Sequence, residues 1–283
     1  LSAYQSLVFV LIGNSILEIK GLFTEYWLIL FATAAFANML GLIISASFNS
    51  AVTIYILIPL LVIPQMILGG AMFSFDKLND LIGGDNRKSP VIADFMVSRW
   101  AYEALAVTQF KDNPYEKAFF QIEKMESQIN YKLAYYIPEL ESLLKKCEDS
   151  LSEDGGLTPE KQVSEIDILR NELLKESQTV KTDLPLNATY LNQMNFNEEA
   201  ADHLYNYLEA LKNKYIEAFS IVNERKNEMI TALEQEMGKE EFIALKKDNH
   251  NEFLSSLVRK ETVRDKLAIE NNSIEQIVDP IFQ

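Results

Sequence analysis

YWLILFATAAFANMLGLIISASFNSAVTIYILIPLLVIPQMILGGAMFSF (Tyr26–Phe75) is fifty consecutive residues without one Asp, Glu, Lys, Arg or His. A soluble fold has little use for such a run, because most of its surface positions want charge. A bilayer core about 30 Å thick takes about 20 apolar residues as a helix, so the run holds two such helices and a turn. Ser45-Ala-Ser-Phe-Asn-Ser50 is its most polar patch and places the turn. The spacing predicts one helix over 26–46 and another over 51–73. Upstream, the uncharged Leu1–Leu17 predicts a first apolar helix over 1–16, and Leu17–Glu25, with Glu18, Lys20 and Glu25, a short loop. Tyr26 and Trp27 at one end, and Phe73 and Phe75 at the other, fit the aromatic belts of a membrane interface.

Working outward, the 283 residues carry 41 acidic and 26 basic groups, a net charge of −15. Residues 1–112 contribute only −2 of this and residues 113–283 the remaining −13. The chain therefore divides into a membrane segment, 1–112, and an acidic segment, 113–283. Nothing basic clusters, which excludes a nucleic-acid partner. The single Cys147 excludes an internal disulfide and a paired-cysteine metal site. The chain opens at Leu1 inside an apolar run with no basic region before it, so it reads as a segment of a longer protein and not as a signal peptide.

The second apolar helix carries Ala34, Ala37, Asn38, Gly41 and Ser45 on one face, a small-residue stripe of the kind that lets helices approach closely in lipid. Asn38 is its one strongly polar side chain; the amide either bonds a neighbouring helix or lines a wet cavity. The third helix contains Pro59 and Pro64 and ends at Gly69-Gly70. Each proline removes a backbone hydrogen bond and kinks the helix. Such breaks suit a helix that moves or lines a path. Beyond it, Asp76–Gly84 is amphipathic and ends in glycines. Phe95, Met96, Trp100, Ala104 and Leu105 fall on one helical face, with Asp94, Arg99 and Glu103 elsewhere.

The block LLVIPQMILGGAMFSFDKL (Leu60–Leu78), followed by SPVIADFMVSRWAYEALAVTQF (Ser89–Phe110), resembles the permease half of ABC exporters of the ABCG (White-type) class, the type-2 membrane domain. Ser98, Tyr102, Glu103 and Phe110 match that family's external-loop motif, and Arg99 stands where proline is frequent. The resemblance implies the last part of a six-helix permease, with an amphipathic, re-entrant piece over 76–110. It implies that the loop after the first helix and everything after about residue 74 are extracytoplasmic, in the periplasm if the membrane is a bacterial inner membrane, and that a last helix follows residue 283. It implies path-lining positions at Ile63 and Met66 and an upper gate at Ala71 and Met72, with Asn38 as a further path candidate. Pro59, Pro64, Gly69 and Gly70 are the hinge candidates. The implied partners are membrane lipid, an N-terminal ATP-binding domain holding ATP and magnesium, and a second copy in a homodimer. This chain itself contains no GxxxxGKS or GxxxxGKT loop, no nucleophile–base pair and no metal constellation, so it reads as no enzyme and holds no cofactor.

The acidic segment shows helical spacing throughout, and the whole chain reads as all-α. A helix is predicted after Asn113-Pro114, with Phe119, Ile122, Met125, Ile129 and Leu133 on one face. Pro138 opens a second, ending near Leu151, and Ser152–Gly156 is a turn. Thr158-Pro159 caps a third, running to about Ser177. An irregular connector over 181–197 contains the glycosylation sequon Asn187-Ala-Thr189. Asn197 then starts a long helix to Met237, stopped by Gly238. Leu204, Leu208, Leu211, Tyr215, Ala218 and Val222 are spaced 4, 3, 4, 3 and 4 apart, a coiled-coil seam too short to stand alone, so an intrachain bundle is expected. Glu224, Arg225, Lys226 and Glu228 read as a solvated face. His203 and His250 read as structural rather than as metal ligands. Gating the exit, handing substrate to an extracytoplasmic partner protein and dimerising are all open to this insert. Two functions compete: the membrane part of an ATP-driven exporter, and a membrane-anchored helical interaction or structural protein with no transport role.

Overall fold

The computed structural model describes residues 1–72, 90–151, 159–180, 191, 196–259 and 266–277. The amphipathic stretch 76–84, Phe73 and Phe75, the 152–156 turn, Thr158, the sequon and most of the 181–197 connector lie outside the described residues. Ten α-helices are described: α1 (Ser2–Leu17), α2 (Phe23–Ser47), α3 (Ala51–Ile67), α4 (Val97–Lys111), α5 (Glu116–Tyr131), α6 (Ile137–Asp149), α7 (Pro159–Val180), α8 (Glu198–Met237), α9 (Lys239–Asn249) and α10 (Glu252–Arg259). A hairpin of β1 (Leu267–Glu270) and β2 (Ser273–Gln276) joins them. The fold is all-α apart from that hairpin.

Contacts divide the chain into two compact units, one of Leu1–Phe120 with Leu233–Thr262 and one of Gln121–Ala232 with Val263–Ile277. The break in composition at 112/113 and this division do not coincide, because α9 and α10 return to the first unit.

In the first unit α2 is 25 residues long and apolar enough to cross a membrane, and only 6% of its apolar window is buried within the chain. The core helix of a soluble protein would be covered; this one is not. Both α1 and α3 are apolar but shorter, at 16 and 17 residues. The third apolar helix thus stops at Ile67 rather than near residue 73, where Leu68 and the two glycines break the helical backbone. The small face of α2 is uncovered: Ala37, Asn38 and Ser45 are exposed, and nothing lies within 4 Å of where a Gly41 side chain would begin. Tyr26 is buried with Val10 and Leu22, and Trp27 donates its indole N–H to the Ala3 carbonyl at 3.1 Å.

The α1–α2 turn passes through Glu18 and Gly21, both at positive φ. A Cβ on Gly21 would sit 2.7 Å from Pro114 Cγ, so the turn lies against the start of α5 only because that residue has no side chain. Asn113 caps α5, its Oδ1 accepting the N–H groups of Tyr115 and Glu116 at 3.0 and 2.8 Å. Tyr115 and Phe119 stack, and Phe242 of α9 packs on both. Buried Glu116 meets His250 Nδ1 at 2.8 Å. His250 is therefore structural, and its partner lies 134 residues earlier in the chain.

In the second unit α5 does not break before Pro138. It passes through one π-helical turn, Lys132–Tyr136, directly into α6. Pro138 falls in the first turn of α6, directly after the π turn, and gives no N–H to the carbonyls of the turn before it. Along α5, Phe119 and Ile122 are buried whereas Met125 is 43% exposed. The core joins Ile137, Leu140 and Leu144 of α6, Leu169 and Leu173 of α7, and Leu208 and Leu211 of α8. The predicted seam of α8 is buried through Leu211; Tyr215, Ala218 and Val222 are half-buried. Lys226 does not belong to the solvated face: its ammonium reaches Glu126 at 2.7 Å and Glu123 at 3.2 Å on α5.

Two carboxylates one turn apart on α7 are buried in this core. Glu172, 1% exposed, accepts hydrogen bonds from the Tyr136 hydroxyl at 2.6 Å, the Ser273 hydroxyl at 2.7 Å and the Ile274 N–H at 2.9 Å. Glu176 accepts the Tyr215 hydroxyl at 2.6 Å and pairs with Lys132. These bonds tie the π turn, α7, α8 and the hairpin together. The hairpin turns on Asn271-Asn272, both left-handed, as a two-residue turn requires.

At the start of α8, Asn197 Oδ1 accepts the Ala200 N–H at 2.8 Å. Asn197→Ala is expected to lower the stability of this unit by about 1 kcal/mol. A urea titration checks this through a lower midpoint at unchanged slope.

Candidate functional site

The described residues nearest the expected path gather where α3 ends and α4 begins. Helix α3 runs through Pro59 and Pro64 without interruption, and no residue along it is buried. The prolines give no N–H to the carbonyls of Tyr55 and Leu60. Its last turn closes with the Leu68 N–H donating to the Pro64 carbonyl at 2.8 Å. The next carbonyl, that of Gln65, accepts the Ser98 hydroxyl at 2.6 Å. This bond from the following helix needs a bare backbone beside it. A Cβ on Gly69 would lie 2.8 Å from the Gln65 oxygen and 3.1 Å from Ser98 Oγ. Gly70 follows at φ 77 and turns the chain away. Leu68 and the fully buried Ala93 pack together, flanked by Met96 and Tyr102.

Across this junction the two large rings are open and the arginine is covered. Phe95 is 81% exposed and Trp100 51%, whereas Arg99 is 6% exposed. Arg99 pairs with Asp94 at 2.5 Å and with Glu103 at 3.6 Å, and its guanidinium lies 4.5 Å from the Trp100 ring centroid. The physical reason is that paired charges tolerate burial while unpaired ones do not. In an apolar environment the large rings are the better outer surface.

Of the candidates named from sequence, Gly69, Gly70, Ser98, Tyr102 and Glu103 come together here. Ile63, Met66, Ala71 and Met72 lie nearby in the chain and are exposed. Asn38 stands apart, donating its amide N–H to Ser2 Oγ on α1 at 2.6 Å. Phe110 is at the far end of α4, edge-on to Phe120 at 6.1 Å. Sequence reasoning passed over Gln65, Asp94 and Arg99. Asp94 and Glu103 at i−5 and i+4 from Arg99, in a segment otherwise poor in charge, were the available signal.

At the other end of α4 a polar cleft of about 290 Å³ is bounded by the α1–α2 turn, by Gln109 and Asn113, and by Asp248 to Glu252. Lys20 and Asp248 bridge it at 2.8 Å. The α1–α2 turn, the start of the acidic segment and its returning helices thus share one end of this unit. Among the described residues no group of three or more His, Cys, Asp or Glu could hold a metal ion.

Residues 1–110 match the family described as ABC-2 type transporter. No curated protein and no solved structure matches the chain.

Proposed function

We propose that this chain, an integral membrane protein whose residues 1–110 match the ABC-2 type transporter family, supplies the translocation path and an external helical domain of an ATP-driven exporter. The match is the observation that carries the reading. The uncovered apolar surface of α1, α2 and α3 supports it, since lipid and partner helices are what such surfaces fit. ATP is bound and hydrolysed by a nucleotide-binding partner domain, as type-2 permeases require, and two copies of the permease face each other. Substrate moves along α3, past Ile63 and Met66, and leaves by the Gly69–Met72 turn, with Asn38 and the hinge residues Pro59 and Pro64 in supporting roles.

The orientation proposed has the α2–α3 turn in the cytoplasm and the acidic segment outside, in the periplasm of a bacterial inner membrane. The cleft at the far end of α4 supports this, because the α1–α2 turn, the start of the acidic segment and its residues Asp248 to Glu252 meet there. Cysteine at the exposed Glu224 is expected to react with an impermeant maleimide on intact cells, and cysteine at Ser47 only after permeabilisation. The native Cys147 is fully buried and stays silent. The reverse labelling pattern would remove the orientation. Co-purification of no ATP-binding subunit or domain would remove the transporter.

A further inference from the structure

Arg99 lies outside the path, yet it is the one nearly buried guanidinium beside the hinge among the described residues. A charge in that position persists only when held by acids, and its partners form a closed loop. Asp94 is gripped twice: its carboxylate by Arg99 at 2.5 Å, and its carbonyl by the Trp100 indole N–H at 2.8 Å. Trp100 in turn stacks under the guanidinium. Asp94 belongs to the short 3-10 turn Ala93–Phe95, whose Ala93 packs on Leu68 at the end of α3. One residue before Arg99, Ser98 fastens the Gln65 carbonyl. The turn and the first residues of α4 therefore reach the end of α3 by two routes, and Arg99 joins them.

We propose that Arg99 is a positioning residue: through Asp94 and Trp100 it keeps the start of α4 clasped to the end of α3, and opening of this clasp releases the Gly69–Met72 turn. The clasp is a restraint on the outward end of the path, and it rests on the permease reading above. Arginine suits the role better than lysine, since its planar fork can hold Asp94 and Glu103 while stacking on the indole.

Two cysteine reporters in the full-length protein, in native membranes, test this. Met72, 62% exposed, reports the side of the membrane; Leu68, 8% exposed and covered by Ala93, reports opening. Met72→Cys is expected to react with an impermeant maleimide from outside. Leu68→Cys is expected to react slowly. Adding Ser98→Ala, Asp94→Asn or Arg99→Met should raise the Leu68→Cys rate roughly fivefold, the change that loss of one hydrogen bond allows. Arg99→Lys should fall between Arg99→Met and the parent. Cys147 should remain unreactive in all of them, which separates opening of the clasp from general unfolding.

Equal Leu68→Cys rates across the series would overturn the clasp while leaving the orientation standing. So would a rise in Cys147 labelling in step with Leu68→Cys. If Arg99→Met does not accumulate in the membrane, Ser98→Ala and Asp94→Asn carry the test. Labelling of Met72→Cys only after permeabilisation would overturn the orientation and the clasp together.

Discussion

Leu208→Asp is expected to unfold the helical unit built on α6, α7 and α8. Leu208 is 1% exposed and lies in the core with Leu140, Leu144 and Leu173. The substitution removes a packed side chain and buries a carboxylate with no partner, on the order of 5 kcal/mol or more against a total stability of about 5–15. Cys147 gives a direct readout. It is fully buried in the same core, and burial pushes its thiol pKa up to about 12, so the native thiol is both hidden and protonated. A loss of this size raises the open fraction by roughly four powers of ten. Thiol labelling at neutral pH should accelerate accordingly, and the thermal transition followed by circular dichroism should move far down or vanish. Glu224→Ala, on an exposed position of α8, should change stability by less than about 0.5 kcal/mol. Equal labelling rates for Leu208→Asp and wild type would dismiss this core.

The second large effect is at Glu172. Glu172→Leu strands the Tyr136 and Ser273 hydroxyls and the Ile274 N–H in the interior. The expected loss is about 3–5 kcal/mol, with amide protection in 267–276 lost first. The wild-type carboxylate also gives a pH signature. Burial disfavours its charge, but hydrogen bonds from Tyr136, Ser273 and the Ile274 N–H, with Lys175 nearby, outweigh burial and hold its pKa below the ordinary 4.5. The unfolded chain therefore binds this proton at a higher pH than the folded chain. The contribution is complete above about 4.5 and is lost as pH falls through the lower folded value. Stability measured from pH 6 down to pH 3 should decline less steeply in Glu172→Gln than in wild type.

Local chemistry made some of this structure legible. The long helix could be bounded at both ends because Asn197 is a capping residue and Gly238 breaks the backbone; α8 spans Glu198–Met237. The apolar helices were legible from length and absence of charge, and α1, α2 and α3 lie where those runs lie. What escaped depends on partners distant in sequence. Lys226 looks solvated on its own helix and is pinned by two glutamates a hundred residues earlier. Glu116 and His250 make a pair that no spacing announces. The four-residue strands were too short to show alternation, although Asn271-Asn272 is the turn they needed. Arg99 was placed away from the apolar face and given no partner, because spacing alone does not show that Asp94 and Glu103 pair with it. In this segment Phe95 and Trp100 are exposed while Arg99 is buried beside its two acids.

The unit that holds the apolar helices is interrupted in sequence: it takes Leu1–Phe120, leaves for Gln121–Ala232, and resumes at Leu233. On the ribosome that interruption is a delay. At about 5–20 residues per second, the intervening 112 residues occupy roughly 6–22 s of synthesis before α9 emerges. Throughout that interval the membrane helices exist without Phe242 to cover Tyr115 and Phe119, without His250 for Glu116, and without Asp248 for Lys20. The contacts that complete the first unit can form only after residues 121–232 have been made, and the hairpin that binds Glu172 in the second unit is made later still, so each unit waits while part of the other is synthesised.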